Sequence, residues 1–529
     1  MGWFATCFGW TGMPSGNHQE PCPDVASGQM KGIEDYARQL AKLILMCRRP
    51  RQLLHRVGVS FVRRWQLMLG YFASFRDERL KTVPGNLVAW ATVSRMFVIF
   101  VALIIPAWLL EVVDPFGLSG AVERHSQQIV QKIAAPFYPT TAQSRIAVVL
   151  IDEGALAVRG ESWPPRYLYY EEVVRRIAKQ RPSAIFLDVL VEDRRSYDSS
   201  LPLAQKALEE TLKETGVPLY LAVLDGGERN LFAKVPGTHL AMAGWSGHGA
   251  DYPLLVDGPH RFGAMPSVSD NRCGADSLPT AAFALYRQLC ERGENKSCGE
   301  ALAQGDTGTF CAPMVVQWGY NVAPQVRARD LLAASQCAPS EVSPGTRLFD
   351  SARILWSSLL ASFDKESEAQ GRQTCPYTLT VREEDLSSAR VRGLLKDRVV
   401  LVGTSLAGIH DLVASPVHGQ LPGVYLHAMA LDNLLTWDDH YFARAEGTPT
   451  LLVLGLLLAW VSAALIRANP ARLDFLLHAF AAVLVLGVSA FFYLVLHRPP
   501  LDWLGLLLIF ELARRILEAS ANRRQPSVN

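Results

Sequence analysis

Residues 403–408, GTSLAG, combine glycines and a hydroxyl group in an order that two catalytic motifs share. Ser405 stands where an exposed nucleophile would follow a strand, and Asp411 and His427 come after it as candidate triad partners. Ala407, however, occupies the position at which that nucleophile turn has its closing glycine. No Lys-Ser/Thr pair follows the second glycine, which argues against a phosphate-binding loop. We therefore predict no catalytic residue here and a protein that is not an enzyme.

The same stretch has a second interpretation, as part of a ligand site. Gly403 allows a tight turn and the close approach of another backbone, and the N–H groups of such a turn can bind an anion. Asp411 begins the loop that follows, and His427 lies in a helix-like run that is rich in apolar residues. A lone histidine in that setting is either a satisfied core residue or a ligand-binding group. We keep Gly403, Asp411 and His427 as candidate ligand-binding residues.

A second set of charged residues follows the first two apolar runs of the same region. Asp152 comes directly after residues 145–151, and Asp188 lies at the end of residues 183–189. In an open α/β sheet the carboxyl ends of parallel strands meet at one edge, where functional groups collect. Arg166, just before a helix-like run, would be able to pair with Asp152 or with a ligand carboxylate. The two interpretations are a polar ligand or cation pocket, and a buried ion network that ties loop to sheet.

These residues are positioned by an alternation of strand-like and helix-like segments. Short apolar runs predict buried strands, and runs with apolar residues at helical spacing predict the covering helices. Strands that alternate with helices at this spacing indicate a mainly parallel sheet, so the fold class is α/β. The predicted strands are 145–151, 183–189, 217–224, 314–319 and 398–403, and the predicted helices are 167–180, 200–214 and 423–435.

Long apolar runs lie on both sides of this α/β segment. Residues 96–113 are about long enough to cross a bilayer, which needs roughly 20 apolar residues. Three further runs, 451–466, 475–496 and 501–513, follow the α/β segment, and the last is the shortest and carries two acids. We predict an α-helical transmembrane region of four spans, with His478 and Glu511 as ionisable residues inside it. The predicted division is therefore 1–92, 96–113, 114–448, 451–466, 475–496, 501–513 and 514–529.

Basic residues set the expected orientation of these spans. The first 90 residues hold twelve Lys/Arg against six Asp/Glu, and arginines also follow the second and fourth runs. Because basic loops stay on the cytoplasmic side, both termini are expected in the cytoplasm and residues 114–448 outside it. Residues 1–30 are expected to be disordered, and residues 31–81 read as helices that favour the inner membrane surface or form a packed hairpin.

Cysteine content agrees with an extracytoplasmic segment. Six of the nine cysteines lie between residues 114 and 448, and an even number in an oxidising compartment predicts up to three disulfides. Absence of CxxC pairs argues against a zinc or thioredoxin-like site, so no metal and no cofactor are predicted. Net charge of +2 gives no sign of nucleic-acid binding. The disulfide candidates are Cys273, Cys290, Cys298, Cys311, Cys337 and Cys375.

Three ordered blocks resemble the bacterial CHASE sensory domain of type two. They read IAVVLIDEGALAVRGESWPPRY, SAIFLDVLVEDRRSYDSSL and RVVLVGTSLAGIHDLVASPVHGQLPGVYLHAMALDNLL. In that family one span, an extracellular domain and three spans follow one another, the same layout as the apolar runs here. The resemblance implies a periplasmic sensory domain on the bacterial inner membrane. The family passes its signal to a fused cyclase or kinase, whereas only sixteen residues follow Ala513 here.

The expected function follows from topology and resemblance together. The first hypothesis is a signal-receiving inner-membrane protein, which binds a periplasmic ligand or protein and acts through a separate cytoplasmic or membrane partner. The second is a non-catalytic docking subunit of a multi-protein envelope complex, favoured by the enlarged, cysteine-bearing middle region. Membrane lipid is an expected partner in both, and a homo-oligomer is compatible with both.

Overall fold

A computed structural model describes most of residues 127–443, together with residues 493 and 497. All described residues belong to Ser94–Asn529, the second of two units into which the chain divides. Several predictions lie outside the described residues. They concern residues 1–126, the four apolar runs apart from Tyr493, the residues His478 and Glu511, and Cys273, Cys337 and Cys375. The residues that the structure describes are 127–224, 230–243, 251–256, 277–294, 298, 302, 308–328, 344–361, 376–406, 411–443, 493 and 497.

A six-stranded sheet forms the centre of the fold. Its order is β4-β3-β2-β10-β1-β9, and every neighbouring pair is parallel. Three two-stranded antiparallel pairs, β5 with β8, β6 with β7 and β11 with β12, surround it. The strands are β1 (Ile146–Asp152), β2 (Ala184–Leu187), β3 (Leu219–Val223), β4 (Thr238–Met242), β5 (Asp251–Tyr252), β6 (Leu255–Val256), β7 (Leu278–Pro279), β8 (Met314–Val315), β9 (Leu379–Arg382), β10 (Val399–Ser405), β11 (Leu412–Ser415) and β12 (Gly419–Pro422).

Helices cover both faces of the sheet. One apolar core lies between the sheet and the helices Tyr167–Ala178 and Leu201–Thr215. A second core lies between the sheet and the helices Ala281–Glu291 and Val424–Trp437. Short 3-10 turns lie at Ala135–Phe137, Gln143–Arg145, Gly308–Phe310, Glu383–Ser387 and Asp438–His440. The helices are α1 (Glu153–Val158), α2 (Tyr167–Ala178), α3 (Leu201–Thr215), α4 (Ala281–Glu291), α5 (Pro324–Ala328), α6 (Pro344–Ala361) and α7 (Val424–Trp437).

The central strands are apolar on both faces because both faces are covered, as parallel sheets require. Along β1, Val149 and Ile151 enter the α2–α3 core, whereas Ile146 and Val148 enter the α4–α7 core. β10 lies beside β1 with Val148 opposite Leu401. These two strands pair although about 250 residues separate them in the chain, and the predicted mainly parallel α/β sheet is confirmed.

Two parts of the sheet differ from the prediction. The edge strand β9 was not predicted, since LTVR is short and half polar, although Thr380 is fully buried. The predicted strand 314–319 is only Met314–Val315, and it pairs with β5 outside the central sheet.

Two further features of the described residues bear on the predictions. The structure joins the sulfurs of Cys290 and Cys298, and Cys311 is also disulfide-bonded. Across the part of the chain that the structure describes, no helix has both the length and the apolar character needed to span a bilayer.

Gly403 lies inside β10 and not in the tight turn that its sequence context suggested. A Cβ atom at this position would lie 2.5 Å from the Cβ of Val424 in the first turn of α7. Real side chains do not approach this closely, so α7 packs on the bare backbone of the strand. The close approach expected at Gly403 is therefore made by a helix side chain.

Gly403→Ala should destabilise the full-length protein by roughly 1–3 kcal/mol, the usual cost of overpacking a filled core. Gly403→Ala combined with Val424→Ala should recover part of this loss, since the smaller residue opens space for the new methyl group. Chemical denaturation of the two single variants and the double variant measures the coupling. Losses that simply add would contradict the proposed contact between helix and strand.

Candidate functional site

Asp188 and His427 face each other at the carboxyl edge of the sheet. Asp188 comes immediately after β2, and α7 lies across this face of the sheet and carries His427. Asp188 Oδ2 and His427 Nε2 are 3.8 Å apart, which is longer than a hydrogen bond. Their side chains are 12% and 7% exposed, so both groups are almost entirely removed from water.

Tyr252 fixes the other side of the imidazole ring. Its hydroxyl oxygen lies 2.7 Å from His427 Nδ1 and accepts the backbone N–H of Ala282 at 3.2 Å. The tyrosine proton is then directed to Nδ1, which leaves the proton of a neutral imidazole on Nε2, facing Asp188. Nothing in the sequence of the middle region pointed to Tyr252, since its strand has two residues.

Burial shifts the titration of both groups away from their usual values. It raises the pKa of Asp188 to about 8, and the nearby charge of Asp411 adds to this rise. Burial also lowers the pKa of His427 to about 4. At neutral pH the pair is therefore mostly an uncharged acid beside an uncharged imidazole, because the apolar surroundings disfavour either ion.

Asp411 approaches the same corner from the start of the β11–β12 hairpin. Its backbone oxygen accepts the N–H of Gly423 at 2.9 Å. A Cβ atom on Gly423 would lie 2.2 Å from Asp411 Oδ1, so the carboxylate lies against the glycine that begins α7. Partial burial raises the pKa of Asp411.

Asp152 and Arg166 are occupied elsewhere. Asp152 Oδ1 accepts the N–H of Ala155 at 2.8 Å and caps α1, while Oδ2 is 3.8 Å from Arg382 Nε. Arg166 is exposed, and its Nε donates to Glu161 Oε1 at 2.7 Å. Because β10 lies between β1 and β2, Asp152 and Asp188 end strands that are not neighbours.

The predicted residues therefore divide into two groups. Asp188, Asp411 and His427 belong to one corner, with Gly403 beneath the start of α7. Ser405 ends β10, and the described contacts of His427 go to Tyr252 and Asp188 and not to this serine. Within the described ranges, no group of three or more His, Cys, Asp or Glu side chains is arranged to hold a metal ion.

A family model described as "CHASE2 domain" matches residues 99–466, which is more than half of the chain. The chain belongs to the CHASE2 family. No curated protein and no solved structure matches it. Because CHASE2 domains are sensory, membership supports a signal-sensing role, and the resemblance drawn from the three sequence blocks is confirmed.

The raised pKa of Asp188 predicts that this residue lowers the stability of the folded CHASE2 domain by an amount that depends on pH. The folded protein keeps the proton up to about pH 8, whereas the unfolded chain loses it near pH 4, so the folded state loses stability as pH rises between these values. Asp188→Asn removes the cost. The variant should gain stability over the wild type progressively from pH 5 to pH 8, by at most a few kcal/mol at about 1.4 kcal/mol per pKa unit.

Thermal unfolding of the full-length protein at pH 5, 7 and 9 checks this expectation. Asp397→Asn, at an exposed carboxylate, is the matched control and should differ from the wild type by the same amount at each pH. If Asp188→Asn also gave a pH-independent difference, Asp188 would have an ordinary pKa in the folded state.

Proposed function

We propose that this CHASE2 protein is a non-enzymatic, membrane-anchored signal receiver, with its sensory domain in the periplasm and its output in a separate partner protein. The Asp188–His427 pair carries the proposal. Two buried ionisable side chains that face each other without a hydrogen bond do little to stabilise a fold, since each loses its hydration. Perturbed ionisable groups at a sheet edge of this type are common in functional sites.

The chemistry of this corner favours a small ligand with a cationic group, such as a protonated amine. Asp188 and Asp411 are close enough for the charge of one to raise the pKa of the other. An ammonium group placed between them would offset the repulsion that arises when Asp188 ionises beside Asp411, and would stabilise the carboxylate that burial disfavours. His427 Nε2, which carries the proton in our assignment, faces Asp188 Oδ2 and would donate a hydrogen bond to this oxygen once Asp188 is ionised.

Helix α7 supplies the link from this site to the membrane side. Five and six residues after His427, it places Asp432 and Asn433 in a buried polar network with a segment far away in sequence. Tyr138 donates to Asp432 Oδ1 at 2.7 Å, and Asn433 Nδ2 donates to the Tyr138 oxygen at 2.8 Å. Burial raises the pKa of Asp432 to about 7.

The network continues to a residue of the third apolar run. Asn433 binds both the N–H and the C=O of Gln317, at 2.8 and 2.9 Å. Gln317 Oε1 in turn accepts the hydroxyl of Tyr493 at 2.9 Å. Helix α7 therefore carries His427 of the candidate ligand site near its start, and near its end Asn433 connects through Gln317 to Tyr493.

A ligand can bias such an arrangement only through different affinities for two positions of α7. Ionisation of Asp188 provides that difference, because a carboxylate attracts the Nε2 proton of His427 more strongly than the neutral acid does. Ligand binding would then draw the helix and its network toward β2. This is the proposed route from periplasmic ligand to membrane segment.

Binding of amines to the full-length protein tests the proposal. In thermal-shift and calorimetric titrations with putrescine, spermidine, agmatine, lysine and arginine, at least one should stabilise the wild type, by about 2.7 kcal/mol at a hundred times its Kd. Asp188→Asn and Asp411→Asn should each weaken that binding at least tenfold, because each removes a partner carboxylate. Asp397→Asn should bind like the wild type.

The docking-subunit hypothesis makes the opposite forecast. On that hypothesis no amine stabilises the protein, and extraction in mild detergent yields a fixed stoichiometric partner whose binding survives Asp188→Asn. Stabilisation by amines that is equal in Asp188→Asn and the wild type would show binding elsewhere and would remove this corner as the receptor site.

A further inference from the structure

Three large apolar side chains are exposed on neighbouring elements of the domain. Phe137 is 43% exposed in the turn before the first strand, and Leu348 and Phe349 are 63% and 68% exposed on α6. The turn Ala135–Phe137 packs against α6, and Ser351 Oγ donates to the backbone oxygen of Ile133 at 2.7 Å. We refer to Phe137, Leu348 and Phe349 together as the apolar patch.

A series of ring contacts joins Tyr138, the residue after Phe137, to Tyr493 and His497 at the end of the third apolar run. Tyr138, which follows Phe137, has its ring 5.2 Å from Trp437 at the end of α7. Trp437 in turn lies 5.9 Å from the ring of His497, the residue directly after the 475–496 run. Phe442 contacts Tyr493 within that run, at 4.8 Å between ring centroids. The turn that carries Phe137 therefore lies near the end of the third apolar run.

We propose that the apolar patch docks on the outer leaflet of the membrane, with α6 lying at the lipid headgroup level. The inference rests on the proposed membrane anchoring and adds a lipid-binding surface to it. Exposed apolar side chains with adjacent cationic residues are typical of helices that lie in the interface plane. Arg353, one turn after Phe349, is 65% exposed and lies 3.9 Å from Asp350 Oδ1, at the outer limit of an ion pair. Its guanidinium would exchange this contact for lipid phosphates while its stem stays with the apolar side chains.

Lipid fits this surface better than a second copy of the chain. A stable dimer buries about 800 Å² on each partner, which is far more than three side chains present. The ring contacts from Tyr138 through Trp437 to His497 also place the turn that carries Phe137 near the end of the third apolar run, the proposed anchor. Anchoring in that orientation would limit how far α6 could turn away from the bilayer.

Photo-crosslinking in lipid nanodiscs tests the proposal on the full-length protein. Benzoylphenylalanine replaces Phe349, and mass spectrometry of the irradiated protein detects covalent lipid adducts in discs of phosphatidylethanolamine and phosphatidylglycerol. Leu203, a 59% exposed leucine on α3 beside the other core, is the matched control position. We expect lipid adducts at position 349 at least five times more abundant than at position 203.

Position 484, within the third apolar run, separates this inference from the anchoring on which it rests. Lipid adducts at 484 with none above the control level at 349 would overturn the docking of the patch alone. Absence of adducts at both positions would overturn membrane anchoring itself. A crosslinked dimer at 349 in place of lipid adducts would identify the patch as an interface between copies and overturn the lipid assignment.

Discussion

The structure depends on how closely α7 packs against the central sheet. Gly403 presents no side chain in β10, so Val424 rests on the strand backbone and the first turn of α7 is held there. Residues three and four apart lie on one face of a helix, and His427 therefore follows Val424 toward the sheet edge and Asp188. A rise of about 1.5 Å per residue puts Asn433 roughly 9 Å further along the axis, in the polar network with Gln317.

The polar residues of α7 explain why the helix has a defined register in this structure. Its fourteen residues are almost all buried, and an apolar helix without a polar face could slide or rotate at little cost. His427, Asp432 and Asn433 break that uniformity, and their partners are 175, 294 and 116 residues away in the chain. Each buried polar group left without its partner costs about 1–3 kcal/mol, so a shift of the helix would lose several contacts together.

The sequence predicts the sheet better than the site, for a physical reason. β1, β2, β3 and β10 are covered on both faces, so nearly every residue in them is apolar and the run is visible without a partner. β9 lies at the edge and includes a buried threonine, Thr380, which bonds to Tyr425 of α7 at 2.8 Å and is satisfied only in the folded protein. Strand-end reasoning selected Asp188, which the structure places beside His427, and it also grouped Asp152 and Arg166 with it, which the structure places elsewhere. Local contacts bind those two residues to an α1 cap and to Glu161, and a sequence pattern does not rank local partners against distant ones.

In the proposed receptor, ionisation of Asp188 would reach the membrane side through α7. The 3.8 Å gap between Asp188 and His427 is about 1 Å longer than a hydrogen bond to an ionised acid. The gap would close through a rotation of the Asp188 side chain, through a rotation of the imidazole, which Tyr252 opposes, or through a movement of α7. Close-packed interiors do not deform gradually, so a helix held by Gly403 at one end and by Asn433 at the other would move as a unit. Gln317 and Tyr493 would then be displaced together with the helix. Whether a signal passes would therefore depend on the length of the hydrogen-bonded series Asn433–Gln317–Tyr493 as well as on the ligand pocket.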